Sequence, residues 1–274
     1  MSLGPQAQAN LEQKTVLITG ASAGIGEAIA REFVEAAGGN IRLVLAARRA
    51  DRLAELSRQL KQSGAQVHTA ELDVSDRAKI NAFFAALPPD YRNIDVLVNN
   101  AGKALGVEHA GNIRDEDVEE MFSTNVIGLI KMTQTVIRGM KERNSGDIVQ
   151  VGSIAGIESY PGGSIYCATK SAVRSFTQAI RKELISTRIR VMEIDPGAVE
   201  TEFSLVRFGG DATKASKVYE GYEPLSAKDI ADVVVFNCSR RANVVVAESV
   251  VFPTAQAGSY HRHRSEPREG TEKN

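Results

Sequence analysis

A tyrosine and a lysine stand four residues apart in SIYCATK, residues 164–170. On a helix, four residues is just over one turn, so Tyr166 and Lys170 would share a face. A free phenol titrates near ~10 and is a poor acid or base at neutral pH. A neighbouring ammonium favours its ionised form. Lowering the phenol by about three units asks for roughly 4 kcal/mol. One ammonium ~4 Å away, at an effective dielectric near ~20, supplies about that much. The pair therefore reads as general acid–base chemistry. The plain alternative is two amphipathic side chains on a wet helix face.

A second cluster is glycine-rich. TGASAGIG, residues 19–26, places Gly20, Gly24 and Gly26 directly after an apolar run. Glycines at a strand-to-helix turn let the backbone approach a pyrophosphate, which the helix N-terminus then stabilises. A glycine-rich turn alone is weak. Here it opens a repeating βα pattern, the context that dinucleotide binding requires.

The elements that would hold these groups alternate along the chain. Apolar strand segments are expected at 14–20, 41–48, 66–74, 94–102, 146–153, 189–197 and 244–253. Helical patterns lie between them at 24–37, 51–62, 78–87, 117–143, 164–184 and 227–239, with a looser stretch at 198–225. Strands buried on both faces and joined by helices argue for a single-domain α/β fold, a doubly wound parallel sheet of Rossmann type with about seven strands. The expected organisation is a polar N-terminal tail over 1–12, one domain over 13–258 and a polar C-terminal tail over 259–274.

Composition narrows the partners. The 274 residues are 43% hydrophobic and 24% charged, with net charge −1, so neither nucleic acid nor anionic membrane is an expected partner. No apolar run approaches bilayer-spanning length. Cys167 and Cys238 are the only cysteines, which excludes a disulfide framework and zinc-ligand spacing; the expected compartment is the cytoplasm. Cys167 follows Tyr166 and points about 100° around the helix, so it reads as a small buried side chain rather than a nucleophile.

The glycine spacing is G-x-x-x-G-x-G. With NNAG at 99–102, Ser153 ending the fifth strand, Tyr166 and Lys170 beyond it, and PG at 196–197, the chain resembles the short-chain dehydrogenase/reductase family over 14–258. That resemblance implies hydride transfer between a nicotinamide and a carbonyl or hydroxyl. Tyr166 becomes the acid in reduction and the base in oxidation. Ser153 bonds the substrate oxygen, and Lys170 favours the phenolate and holds ribose hydroxyls. Asn125 holds a water linking Lys170 to solvent, with a helix-interior amide satisfied by backbone as the plainer alternative. The implied cofactor set adds Ser22 and Ile25 to the three glycines. It places Asp73 and Val74 near adenine, and Asn100, Gly102, Pro196, Gly197, Val199 and Thr201 along the rest. Asn99 reads instead as an amide tying neighbouring strands.

The second strand ends LVLAARRADR, residues 43–52, with Ala47 where relatives carry a ribose-binding acid. Without that acid, Arg48 and Arg49 are expected to clamp the 2′-phosphate of NADP(H), Arg48 foremost. Ala23 departs from NADP-preferring relatives that carry a basic residue before the second glycine. VETEFSLVRFGGD (199–211) and NAGKALG (100–106) resemble the subgroup that oxidises small 3-hydroxy acids, including serine, allo-threonine and 3-hydroxyisobutyrate, and reduces related ketones. Arg207 is a candidate carboxylate partner, or an ion pair or subunit contact. Tyr160 lines the cleft or packs the loop. The resemblance also implies a homotetramer through the two long helices, with which the small residues Ala168, Ala172 and Ala179 are compatible. The alternatives are a reductase of bulkier ketones or keto esters, and a non-catalytic dinucleotide-binding regulator.

Overall fold

The computed structural model describes residues 4–265. Seven strands form one sheet: β1 Thr15–Thr19, β2 Arg42–Ala47, β3 Gln66–Glu71, β4 Val96–Asn99, β5 Gly146–Val151, β6 Ile189–Pro196 and β7 Glu248–Val251. Their order is β3-β2-β1-β4-β5-β6-β7, and every neighbouring pair is parallel. The order reverses between β1 and β4. That switch point is where an open parallel sheet leaves a crevice beyond its carboxyl ends.

The helices are α1 Pro5–Ala9, α2 Gly24–Ala36, α3 Ala50–Gln62, α4 Arg77–Ala86, α5 Asp115–Phe122, α6 Leu129–Arg143, α7 Ser164–Glu183, α8 Glu202–Arg207, α9 Ala212–Lys217 and α10 Ala227–Cys238. Two apolar layers hold them. On one face Phe33 of α2, Leu53 of α3 and Val234 of α10 pack against Val16, Leu43 and Met192 of the sheet. On the other, Phe83 of α4, Met132 of α6 and Ile180 of α7 pack against Leu17, Val44 and Val191. The central strands are apolar on both sides because both sides are covered.

Three elements differ from the sequence reading. The helix expected over 117–143 is two α-helices joined by a π-helical stretch, Ser123–Gly128. The stretch expected to be loose contains α8 and α9, whose starts are capped by Thr201 and Asp211 side chains. The seventh strand is shorter than its apolar run. Val244 O accepts from the Arg190 side chain instead of a strand neighbour, while Ala247 O accepts from both Glu193 N and Arg181.

The tails also differ. Residues 5–9 form α1, Ala7 and Leu11 are buried, and the Asn10 amide donates to Ser239 O at 2.8 Å. Residues 259–265 fold back over the sheet's carboxyl end: Gln256 and Arg262 pair as an antiparallel bridge, and Arg264 donates to backbone carbonyls of Lys217, Val218 and Glu220. This segment lines the cavity through Ser259, Tyr260, Arg262 and Arg264 and adds no strand or helix, which is why its composition resembles a tail. Residues 1–3 and 266–274 of the expected tails lie outside the described residues.

Candidate active site

A cavity of about 860 Å³ opens beyond the carboxyl ends of the strands. Most of the expected site residues wall it. Gly20, Ser22 and Ile25 line it from the first turn, Arg48, Arg49, Asp73 and Val74 from the next two, and Asn100 and Gly102 after β4. Ser153, Tyr166 and Lys170 line the opposite part, with Pro196, Gly197, Val199 and Thr201 beyond β6. Gly24, Gly26 and Asn125 support the wall instead.

The glycine turn is built for close approach. Gly24 has φ +55°, and an added Cβ would lie 3.3 Å from the Thr201 side chain. A Cβ on Gly26 would meet Asn100 Nδ2 and Gly20 O at 2.5 Å, so only glycine lets α2 sit this close to the loop. The Asn100 amide donates to Thr19 O at 2.9 Å and Gly20 O at 3.3 Å, pinning the turn. No side chain caps the start of α2. Its first N–H groups thus lack helical partners and face the cavity wall, a ready anion site. The glycine cradle, the cavity volume and the cationic rim fit a dinucleotide.

At the rim, Arg49 Nε donates to Ser22 Oγ at 3.2 Å, and its guanidinium pairs with Glu202 at 2.8 Å. Arg52 pairs with the other Glu202 oxygen at 2.6 Å. Arg48 lies close enough to Asp73 to favour its carboxylate. Burial opposes that, yet the Ser75 hydroxyl and amide at 2.7 and 2.9 Å help hold the Asp73 pKa below its ordinary value. Sequence reasoning puts Arg48 foremost; Arg49 is the one joined to the glycine turn.

At the other end, α7 carries Tyr166 and Lys170 on one face, with the lysine Nζ 5.8 Å from the ring centroid. Lys170 Nζ donates to Val151 O at 2.7 Å, which fixes the side chain beneath the cavity. Burial pushes its pKa down to about 8, against the opposing pull of Asp195 and of Glu193 whenever that carboxyl is ionised. Tyr166 moves the other way. Burial pushes the phenol above its ordinary value, and Tyr160 adds to the rise, while Ser153 and Arg207 oppose it. The lysine-driven depression expected from the sequence is therefore not the outcome in the protein alone. Desolvation outweighs the opposing groups here, so the phenol stays above its ordinary value in the protein alone. The Ser153 main chain is fixed by its amide, which donates to Asp195 Oδ1 at 3.0 Å.

Asn125 sits in the π-helical stretch, a break that often marks functional helices. Its Oδ1 accepts from Lys103 N at 2.9 Å, and its Nδ2 donates to Lys103 O at 2.8 Å and Thr169 Oγ1 at 3.1 Å. The amide ties the loop after β4 to α7. Asn99 donates to Thr133 Oγ1 of α6 at 2.8 Å, so it joins strand to helix rather than strand to strand. Cys167 and Cys238 are free and buried.

Arg207 is a strut. It donates to Tyr160 Oη at 2.8 Å, Gly162 O at 2.9 Å and Gly106 O at 3.2 Å. Tyr160 thereby gains a place on the cavity wall. Arg262, from the expected tail, also lines the cavity and acts electrostatically on Tyr160. Its Nε is buried without a hydrogen-bond partner among the described residues. No periodicity or motif marks Arg262; its only signal is positive charge in HRHR. Phe203 of α8 packs on Tyr166 with ring centroids 5.6 Å apart, closing the apolar side.

Comparison with known proteins agrees with this geometry. The family described as short chain dehydrogenase is matched over residues 14–207. A Schizosaccharomyces pombe protein named NADP-dependent 3-hydroxy acid dehydrogenase is 49% identical over 257 residues, covering 93% of this chain and 98% of that one. A Salmonella typhi protein of the same activity name is 46% identical over 243 residues, covering 88% and 96%. A solved structure, the closed form of serine dehydrogenase complexed with NADP+, superposes with a TM-score of 0.85 at 42% identity, covering 92% of this chain and all of that one.

Proposed function

The chain belongs to the short chain dehydrogenase family, and on that basis we propose that it is an NADP-dependent oxidoreductase acting on the C3 hydroxyl or carbonyl of small 3-hydroxy acids. The observation that carries the reading is one cavity with a glycine cradle and arginine rim at one end and Ser153, Tyr166 and Lys170 at the other. The relatives named for this activity match over nearly their whole length.

NADP(H), when bound, supplies or accepts the hydride. The chain's own residues do the rest. Tyr166 gives its proton to the substrate oxygen in reduction and takes it back in oxidation. The Ser153 hydroxyl orients that oxygen. Lys170, held by Val151 O, stabilises the phenolate when the proton leaves and grips the ribose hydroxyls. The proposed route for the proton from Lys170 to solvent passes a water held at Asn125; the support is its position at the joint of the β4 loop and α7. Arg48, Arg49 and Ser22 are the proposed 2′-phosphate partners, and the α2 N-terminus the pyrophosphate site.

A second cationic pair suits an acidic substrate. Burial pushes the Tyr160 phenol above its ordinary value, and Arg207 and Arg262 both oppose that rise; Tyr160 in turn acts on Tyr166. Arg207 is engaged by three acceptors, whereas Arg262 makes one long bond, from Nη2 to Ser259 O at 3.4 Å, and its Nε has none among the described residues. Arg262 is therefore the better carboxylate partner. An Arg262→Ala variant is expected to raise KM for a 3-hydroxy acid about tenfold or more, the loss of one charged hydrogen bond. KM for an uncharged ketone should change little. Equal effects on both substrates would assign Arg262 to structure alone. A panel of serine, 3-hydroxyisobutyrate, 3-hydroxypropionate and neutral ketones with both cofactors tests the substrate class.

The assembly proposed is a homotetramer through α6 and α7. It is supported by the exposed small residues Ala168 and Ala179 on α7. No helix of the described residues is long and apolar enough to cross a membrane. The compartment proposed is the cytoplasm.

A further inference from the structure

Beneath the site, three buried polar residues stand side by side across the sheet. Asn99 on β4 is the register partner of Gln150 on β5, and Gln150 that of Glu193 on β6. All face α6 and α7. Their exposures are 3%, 0% and 0%. Thr133 Oγ1 accepts from both amides, at 2.8 Å from Asn99 and 3.2 Å from Gln150, and gives its own proton to Leu129 O. That leaves Asn99 Oδ1, Gln150 Oε1 and both Glu193 oxygens without a hydrogen-bond partner among the described residues; of the two amide oxygens, Gln150 Oε1 is the one on the strand beside Glu193.

Asp195, two residues along β6 and on the same face, is in a different position. It accepts from Ser153 N at 3.0 Å and pairs with Arg174 at 3.3 Å. Arg174 also pairs with Glu248 of β7 at 2.6 Å. Both acids abut residue 152, where an added Cβ would crowd Asp195 Oδ1 and Glu193 Oε1. The groups facing Glu193 are thus Asp195 on its own strand, Gln150 on β5, Lys170 and Arg174 on α7, and Glu248 on β7.

An ionised Glu193 would be a fully buried carboxylate with no donor, next to a second carboxylate and a donorless amide oxygen. Each defect is costly in a dry interior. One proton removes both: a neutral Glu193 gains an O–H donor, and Gln150 Oε1 is the orphan acceptor on the neighbouring strand. We propose that Glu193 is a neutral carboxylic acid in the working enzyme, donating its proton to Gln150 Oε1 and holding the floor beneath Ser153 and Lys170 at the single negative charge of Asp195. Burial first, and Asp195 second, also drive the Glu193 pKa upward. Glu193 is a positioning residue: it touches neither substrate nor cofactor but sets the charge under those that do. This role rests on the proposed tasks of Ser153 and Lys170.

Infrared spectroscopy of the whole protein tests the proton directly. Above pH ~6 ordinary carboxyls are ionised. A protonated-carboxyl C=O stretch should persist there in the parent and in Asp195→Asn, and be lost in Glu193→Gln. Its absence from the parent overturns the proposal even if no variant folds. Stability gives the second arm. A raised acid pKa leaves the fold unpenalised below the ordinary carboxylate range and penalised increasingly as pH rises toward the folded value. The melting temperature of Glu193→Gln should therefore match the parent near pH ~4.5 and exceed it by a widening margin toward pH ~8. A margin independent of pH, or of opposite sign, contradicts it. Kinetics give the third: Glu193→Gln keeps neutral-pH kcat within about twofold, while Glu193→Ala, which leaves Gln150 unpaired, loses about tenfold. Equal losses in both variants contradict it. The first two arms need no substrate, so their failure is separable from an error in the proposed activity.

Discussion

Tyr166→Phe is expected to cut kcat by about 10²- to 10⁴-fold, the usual worth of a positioned general acid. Its Kd for NADPH should stay within about twofold of the parent. The two halves of this prediction come from one geometry. The substitution removes a single oxygen, while the ring remains packed on Phe203 at 5.6 Å between centroids. Lys170 keeps its bond to Val151 O, so the lysine is held without the phenol. The cradle formed by Gly20, Gly24 and Gly26 lies at the other end of the cavity and is untouched. Stopped-flow single turnovers and a fluorescence titration with NADPH measure the two quantities. Loss of both would mean that Tyr166 builds the site rather than works in it. Retention of both would remove it from the chemistry.

The second large effect concerns the cofactor's phosphate. Replacing Arg48 and Arg49 together by alanine should raise KM for NADPH about 100-fold, as expected for two charged hydrogen bonds lost. KM for NADH should change less than about threefold. Arg49 should take the larger share, because it already bonds Ser22 in the glycine turn. Its pair with Glu202 is about two-fifths exposed on each side. Exposed pairs of this kind contribute little, so a phosphate dianion can displace the carboxylate. Parallel losses with NADH and NADPH would mean that the arginines hold the turn and do not read the phosphate.

Much of this site is legible in the sequence because its elements are local. A short buried run ending in glycine makes the first strand and its turn. A Tyr-x-x-x-Lys spacing needs only a helix to align the two side chains, and α7 supplies it. What is not legible depends on packing between distant segments. The π-helical stretch around Asn125 has no pattern of its own; the amide finds Lys103 and Thr169 only after the loop and α7 have met. Residues 259–265 look like a solvated tail because they are held by one bridge and by Arg264 bonds to distant backbone carbonyls rather than by a periodic apolar face. The tyrosine pKa departs from expectation for a related reason. The spacing shows the nearby ammonium but not the burial, and burial decides the direction. Glu193 carries the same lesson: its charge is settled by Gln150 and Asp195 across and along the sheet, not by its neighbours in the chain.

The central claim is hydride transfer from C3 of a small hydroxy acid to NADP+. Initial-rate measurement of NADPH formation tests it most directly, with 3-hydroxyisobutyrate and serine set against the matching 2-hydroxy acid and NADP+ against NAD+. Saturable turnover is expected with the 3-hydroxy acids and NADP+. Their kcat/KM should be at least about tenfold higher than with NAD+ or with the 2-hydroxy acid, the worth of one charged hydrogen bond. Equal efficiency with both cofactors, or turnover of bulky neutral ketones but of no 3-hydroxy acid, would contradict it.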